Sequence, residues 1–485
     1  MSNGEARPLA HVPRHDVASF RRLVAHAPAT GRRVSALFAC AIDERPSLLA
    51  VLADDGGGAL ELARTTVDGA AYPAITPDNP EVHLFEREIA EQTSLVPEGH
   101  PWMKPVRFPP GRGEIGVAPF YRIEGGEVHE VAVGPVHAGV IEPGHFRFQC
   151  YGETILHLEI SLGYQHRGIE RAFLGGPHKR SAVLAETLAG DTTIGHASAY
   201  CQTVEALAGA VVPPRALALR ACALELERVA NHVGDLGALS GDIGFLPAAA
   251  FHGRLRGDYL NLTAELCGSR FGRGLVRPGG VRFDVAREVA GRIVERLAAA
   301  LRDTEDTAHL MWDTASVQAR FEETGHVPTD VARQLGLVGV AARASNLHRD
   351  VRSTHPHGYY RFVHVPASTL PQGDVFARAY LRFLEVRRSV ELLRRELPIL
   401  PEGPIRGEVP ELRPEHVAVS LVEGWRGEIC HVALTDARGR FATYKVVDPS
   451  FHNWTGLAYA CRGQQVSDFP LCNKSFNLSY CGHDL

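Results

Sequence analysis

The sequence lacks the usual marks of several protein classes. Nine cysteines are scattered over 485 residues without any C-x-x-C spacing, which argues against an iron–sulfur cluster bound by this chain and against a disulfide framework. No segment approaches about 18 consecutive apolar residues, so we expect no transmembrane helix. The N-terminus has no apolar core of the kind a signal peptide needs. A formal net charge of −5 gives no reason to expect nucleic-acid binding.

Two further absences narrow the possible functions. The sequence contains neither a P-loop nor a G-x-G-x-x-G motif, so direct nucleotide binding is not indicated. His355, His357 and His364 are close enough in sequence to suggest a metal site. Because Pro356 separates the first two and no thiolate or carboxylate cluster lies nearby, a solvent-exposed loop is the favoured interpretation.

The composition, with 45% hydrophobic and 22% charged residues, is that of a globular chain long enough for more than one domain. Residues 1–124 are predicted to form a small α/β domain. A helix at 17–25 precedes strands at 34–41 and 47–52, and an amphipathic helix is expected at 81–92. The Pro- and Gly-rich stretch 101–116 reads as a linker.

Residues 125–485 are predicted to form a second, mainly helical domain. Residues 145–161 alternate around a Gly–Glu turn, as a β-hairpin does, and strands are expected at 431–435 and 441–447. Apolar residues recur on one helix face at 285–301 and again at 376–397, where Asp374 is a plausible N-cap. The predicted fold class is therefore α+β, with a small β layer on a bundle of long helices.

Two short segments carry most of the polar signal. GPVHAGVIEPGHFRF (134–148), which has a Gly–Pro and a Pro–Gly turn, and LGYQHRGIE (162–170) place histidines and glutamates beside a predicted hairpin. Such loops can present His137, Glu142 and His145 to a cavity. A surface turn with salt bridges explains the same residues equally well.

These segments, together with others spread over residues 131–485, resemble a known family. GSRFGRGLVRPGGV (268–281), the 373–397 helix and EGWRGEICHVALTDARGRF (423–441) follow in the same order as in the large subunit of group 4 NiFe hydrogenases, including formate hydrogenlyase. The quinone-site subunit of respiratory complex I (NADH-quinone oxidoreductase) is similar too. Residues 83–108 resemble the end of complex I's neighbouring peripheral-arm subunit, which formate hydrogenlyase fuses to its large subunit.

The resemblance implies two cysteine pairs that hold nickel and iron, and this chain has neither. ETLAGDTTIGH (186–196) matches the first motif with Ala189 and Thr192 at the cysteine positions. SFNLSYCGHDL (475–485) matches the second with Ser479 and Gly482 there, and Cys481 is one residue out of register. Because these side chains cannot replace thiolates, we expect no metal in this chain. We also expect none of the C-terminal extension that nickel-loaded members lose during maturation.

Other positions of the family are matched in part. His137 stands where complex I has a histidine near the quinone headgroup, whereas Gly190 replaces its quinone-binding tyrosine. Glu142 matches the proton-relay glutamate of hydrogenases, and Arg426 matches an arginine that overhangs the active site. Asp191 has no counterpart there. We expect it to fill the space left by the metals, beside Arg426 and on one enclosed cavity with Glu142.

The resemblance implies a peripheral subunit on the cytoplasmic side of the inner (plasma) membrane. Its expected partners are a small subunit with a 4Fe-4S cluster and antiporter-like membrane-arm subunits. The leading hypothesis is proton or ion coupling through a polar cavity, by way of Glu142, His166 and His196, without hydrogenase activity. The alternatives are a reductase of quinone or another small acceptor, with a tunnel to His137 and Asp191, and a purely structural adaptor.

Overall fold

The computed structural model describes residues 1–109, 111, 114–137, 139 and 141–485. It confirms the α+β class, because long helices and several small sheets share the chain. Three of the residues it does not describe, 110, 112 and 113, belong to the predicted linker 101–116. Within the described residues, no helix is long and apolar enough to cross a membrane.

The secondary structure of the described residues is as follows. The strands are β1 Ala6–Pro8, β2 Arg14–His15, β3 Arg32–Ile42, β4 Arg45–Asp54, β5 Ala59–Thr66, β6 Ala71–Pro73, β7 Val96–Glu98, β8 Val128–Val133, β9 His145–Tyr151, β10 Thr154–Ser161, β11 Val276–Arg277, β12 Gly280–Val281, β13 His416–Glu423, β14 Glu428–Thr435 and β15 Phe441–Val447. The helices are α1 Val17–Ala25, α2 His83–Gln92, α3 Ile169–Phe173, α4 Ser181–Ala185, α5 Thr193–Ala208, α6 Pro214–Asp242, α7 Leu246–Cys267, α8 Arg287–Trp312, α9 Ala315–Phe321, α10 Thr329–Gln334, α11 Gly339–Ala344, α12 Val351–Thr354, α13 Val375–Glu396, α14 Pro449–Ala460, α15 Phe469–Phe476 and α16 Tyr480–Asp484.

The N-terminal part is built on a sheet of order β2-β5-β4-β3. Asp16 caps α1 by accepting a hydrogen bond from the Ser19 N–H, which fixes where this helix begins. The buried side chains of this sheet pack against Val417, Val419 and Val432 of a second sheet, so one hydrophobic core serves both. The boundary near residue 124 stays a prediction.

The second sheet has the order β1-β13-β14-β15 and supports the candidate site. Its β14 is buried along its whole length, because the N-terminal sheet covers one face and α5 packs on the other. Helices α6, α7, α8 and α13 form the expected bundle beside it. Asp374 caps α13 through the Ala377 N–H, as the sequence predicts.

A third layer brings the end of the chain to the site. The predicted hairpin forms as β9 and β10, and β8 completes a sheet of three strands. This sheet packs on α14 and α15 through Phe146, Phe148 and Phe469. The C-terminal segment 477–485 is thereby held between the hairpin, α14 and the turn before α5.

The interpretation of residues 355–364 as a solvent-exposed loop is wrong for two of its three histidines. His355 and His357 are buried, and only His364 is exposed. The N-terminal part covers His355, because the Asn3 side-chain amide donates to the His355 carbonyl and the His355 ring lies 3.5 Å from the Asp55 carboxylate. Contacts between parts of the chain so distant in sequence leave no local signal.

Candidate functional site

The two segments that match the metal-binding motifs meet in the folded chain, as the sequence predicts. The first lies in the turn between α4 and α5, and the second forms α16 with Ser479 as its N-cap. The Gly190 N–H donates to Ser479 Oγ at 3.3 Å, and the Gly482 N–H donates to the same oxygen at 2.9 Å. The four positions at issue, Ala189, Thr192, Ser479 and Gly482, are all buried.

The contact at Gly482 is too close for a larger side chain. A Cβ placed on Gly482 would lie 2.7 Å from Asp448 Cγ and 3.0 Å from Ala189 Cβ. The space that thiolates would need is therefore filled by direct packing of the two segments. The hydroxyls of Thr192 and Ser479 are bound to protein groups, and soft thiolate donors are absent, so the residues present do not fit a nickel–iron centre.

Arg426 joins the two segments. Its guanidinium donates to the Gly190 carbonyl at 2.7 Å and to Thr192 Oγ1 at 3.1 Å, both on the first segment. It also donates to the Asn477 carbonyl at 2.5 Å, at the start of the second segment. The guanidinium stacks on the Trp425 ring at 3.9 Å, which fixes its direction. Arg426 therefore bridges the two segments instead of overhanging an open site.

Glu142 reaches the second segment from the other side. Its carboxylate accepts hydrogen bonds from the Tyr480 and Cys481 N–H groups at 3.2 and 3.3 Å. Burial and the nearby Glu142 charge raise the pKa of the Cys481 thiol to about 11, so this thiol stays protonated at neutral pH. Glu142 is half-buried and holds the first turn of α16 in place.

Asp191 does not fill the space beside Arg426, and this expectation was wrong. Its side chain is 44% exposed and pairs with Arg256 of α7 at 2.9 Å. The cause is local, because Asp191 has a positive φ of 56° that turns its side chain away from the two segments. Only its backbone faces inwards, where its carbonyl accepts from Trp425 Nε1 and from the Asn231 amide.

His196 belongs to a buried chain of hydrogen-bonded side chains behind the two segments. Its Nε2 lies 2.9 Å from Asp448 Oδ2, and its Nδ1 lies 3.1 Å from Nε2 of His431. His431 Nδ1 lies 2.9 Å from the Tyr444 hydroxyl. Burial would raise the pKa of Asp448, but the hydrogen bond and charge of His196 outweigh it and lower that pKa. Burial, helped by His196, keeps the pKa of His431 well below its usual value.

The same chain continues to Glu142 through the C-terminal segment. Asp448 Oδ1 accepts the Ser450 N–H at 2.9 Å, and Ser450 Oγ accepts the Ser479 N–H at 2.8 Å. Ser479 Oγ lies 3.4 Å from Cys481 Sγ, next to the Glu142 carboxylate. The contacts between Glu142 and His196 pass through the backbone N–H groups of Ser450 and Ser479. They therefore link the two groups structurally and do not form a continuous path for a proton.

The remaining predicted histidines lie around this centre without joining it directly. His137 Nε2 contacts the Gly144 carbonyl at 2.9 Å, and His145 Nδ1 contacts the Gly134 carbonyl at 3.3 Å. His166 Nδ1 contacts the Asp484 carbonyl at 2.8 Å. Each ring therefore fastens a loop near the C-terminal segment. The quinone role of His137 and Gly190 stays a prediction.

Sequence reasoning missed Glu227, which lies under the first turn of α5. Its carboxylate accepts the Ile194 and Gly195 N–H groups at 2.6 and 3.1 Å, and burial raises its pKa to about 8. Asp448 was missed as well, although Asp–Pro before a helical segment is a recognisable N-cap signal. Within the described residues, no three His, Cys, Asp or Glu side chains are placed to share a metal ion.

Comparison with known proteins gives the family. Residues 242–419 match the family described as respiratory-chain NADH dehydrogenase, 49 kDa subunit. The carbon monoxide-induced hydrogenase of Rhodospirillum rubrum is 30% identical over 354 residues, which cover 72% of this chain and 97% of that protein. NADH-quinone oxidoreductase subunit 4 of Thermus thermophilus is 30% identical over 370 residues, or 70% of this chain and 90% of that subunit.

A longer match extends into residues 1–124. Formate hydrogenlyase subunit 5 of Escherichia coli is 28% identical over 432 residues, which cover 84% of this chain and 76% of that subunit. The hydrogenases and the NADH-quinone oxidoreductases thus each match 70–84% of the chain at similar identity. The chain belongs to the family that unites the large subunits of such hydrogenases with the 49 kDa subunits of respiratory NADH dehydrogenases.

Proposed function

We propose that this chain is the large subunit of a membrane-associated, complex-I-like oxidoreductase, that it holds no nickel–iron centre, and that it couples redox or conformational change to proton movement. One observation carries the proposal: the two segments that would hold the metals are closed against each other at Gly482 and Ala189 and are tied together by Arg426. A subunit of this family without a metal cavity has no place for hydrogen chemistry.

The polar chain behind the closed segments supports the coupling role. His196 lies between the Asp448 carboxylate and the neutral His431, so it can carry a proton while remaining hydrogen-bonded on both sides. Glu142 lies at the other end, where it is half-buried and reachable from the surface. A change in the charge of either group alters the hydrogen bonds of the C-terminal segment, which is how protonation would reach the rest of the complex.

The partners belong to the same proposal. The relatives carry names of multi-subunit hydrogenases and NADH-quinone oxidoreductases, which supports assembly with membrane-arm subunits and with a small subunit that carries a 4Fe-4S cluster. In this arrangement the chain lies on the cytoplasmic side of the membrane. Reduction of a quinone by the complex is the alternative function, and the test below distinguishes it from proton coupling.

The test is Glu142→Gln in the whole complex, with Glu130→Gln as the control. Glu130 is a half-exposed carboxylate of β8 that pairs with Arg147 and lies outside the polar chain. We expect Glu142→Gln to assemble normally, because the amide oxygen of the new side chain can still accept a backbone N–H, and to lose proton translocation by membrane vesicles. Equal translocation by both variants would support the structural adaptor instead. Loss of quinone reduction together with translocation would support the reductase.

A further inference from the structure

The second half of α5 borders a cavity that the proposed function does not use. It has a volume of about 620 Å³ and lies between α5, the first turns of α6, the segment around β1 and a 3-10 turn, Gly358–Arg361. We call it the α5 cavity. Its volume is within the range of about 300–1,000 Å³ that small-molecule sites occupy. Thr192, by contrast, precedes the opposite end of α5.

One side of the α5 cavity is apolar. Ala206 of α5 and Leu217, Ala221 and Leu224 of α6 form this wall. At the mouth, the side chains of Val211 and Phe362 are 82% and 76% exposed, so much of their apolar surface is in contact with water. A ligand with an apolar body would bury this surface, and the removal of apolar surface from water is favourable.

Two buried side chains on the lining of the α5 cavity have polar atoms without a partner in the described protein. These atoms are Ser198 Oγ and His357 Nε2, in residues only 6% and 7% exposed. An unpaired buried polar group is unfavourable, so a partner from outside the chain is expected. Burial lowers the pKa of His357 to about 3, so at neutral pH its ring is uncharged and offers one donor and one acceptor nitrogen.

The charges on the lining favour an anion. Glu205 is neutralised, because Arg220 binds both of its oxygens at 3.0 and 2.6 Å. Arg361 and Arg413 are exposed cations at the mouth, and Glu5 is the exposed acid opposite them.

We propose that the α5 cavity binds a small organic anion with an apolar body. The body lies against α6 and is covered by Phe362, and the acidic group lies near Arg361. A small shift of the lining exposes Ser198 Oγ or His357 Nε2 to a hydroxyl or carbonyl group of the ligand. The site is independent of the closed metal segments, and its failure would leave the proposed function untouched.

The experiment uses the full chain and two dyes of similar shape, anionic 1-anilinonaphthalene-8-sulfonate and neutral N-phenyl-1-naphthylamine. Ala206→Phe fills the cavity, and Val212→Trp at its half-exposed rim is a second filling variant in case the first does not fold. We expect either variant to lower the affinity for both dyes at least about ten-fold, because the new side chain occupies the space of the dye's apolar body. Arg361→Ala should lower the affinity for the anionic dye about five-fold and leave the affinity for the neutral dye unchanged.

The controls are matched substitutions outside the cavity. Ala264→Phe changes a half-buried helical alanine of α7, and Arg292→Ala removes an exposed arginine of α8. Both should bind the two dyes like the parent chain, and hydrogen exchange of residues 357–362 should slow when the anionic dye is bound. Folded filling variants that bind both dyes normally would overturn the site. Equal effects of Arg361→Ala on both dyes would overturn its preference for anions.

Discussion

Replacing Gly482 by alanine tests how tightly the two metal-motif segments are packed. The added methyl would lie 2.7 Å from Asp448 Cγ and 3.0 Å from Ala189 Cβ, where about 3.5–4.0 Å is the comfortable separation of carbon atoms. Asp448 cannot easily move, because His196 and the Ser450 N–H hold both of its oxygens at 2.9 Å. The clash must therefore be relieved by a shift of α16 or of the Ala189 turn.

The size of the effect follows from two opposing contributions. Overpacking of a rigid core site costs about 1–3 kcal/mol, whereas alanine is favoured over glycine in a helix by up to about 1 kcal/mol. Gly482 lies in α16, so both contributions apply, and the free energy of unfolding should fall by about 1–2 kcal/mol. For a chain of this length the melting temperature should fall by about 1–2 °C per kcal/mol.

The control substitution should change the free energy of unfolding in the opposite direction. Gly291 is an exposed helical residue of α8, and a Cβ placed on it would have no atom within 4 Å. Gly291→Ala should therefore raise the free energy of unfolding, by up to about 1 kcal/mol. Calorimetry of both variants decides the matter. If Gly482→Ala is as stable as Gly291→Ala, the segments are not closed against each other and a cavity remains between them.

Three further predictions concern the same region and the N-terminal part. Arg426→Ala should destabilise the chain by about 1–3 kcal/mol and speed hydrogen exchange at 479–482, because both segments lose their bridge; exchange no faster than in Arg292→Ala would contradict this. The pKa of Glu227 is about 8 in the folded chain, so this group stabilises the fold below about pH 4.5 and its contribution is lost as pH rises to 8. The free energy of unfolding of Glu227→Gln, measured with urea, should therefore rise relative to that of the parent by about 1.4 kcal/mol per pH unit between pH 5 and 8. A difference between the two chains that does not change with pH would refute the assignment. Limited proteolysis should cut within 101–116 before any helix of the bundle, with the fragments staying together on gel filtration because they share one core; early cuts in α6–α8 would count against this boundary.

Features set by neighbouring residues could be predicted from the sequence. The α13 stripe, its cap at Asp374 and the β9–β10 hairpin depend on periodicity, capping and turn chemistry, and all of them form. The meeting of residues 186–196 with 475–485 is not a local feature. It could be predicted because the resemblance supplied the long-range pairing.

What the sequence could not predict depends on single backbone angles and on distant contacts. The positive φ of Asp191 turns its carboxylate towards Arg256, and nothing in the segment GDTT required that conformation. The burial of His355 depends on Asn3, which lies more than 350 residues away in the chain. The polar chain through Asp448 and His431 forms only when β14, α14 and α5 pack together, so its members carry no shared sequence motif.

The most direct test of the account is the nickel and iron content of this chain, purified from its native assembly. Mass spectrometry of the metals, with a nickel-containing relative prepared in parallel, should find neither metal in stoichiometric amount. The reason is that Ala189, Thr192, Ser479 and Gly482 supply no thiolate and leave no space for a metal centre. About one nickel per chain would contradict the central claim.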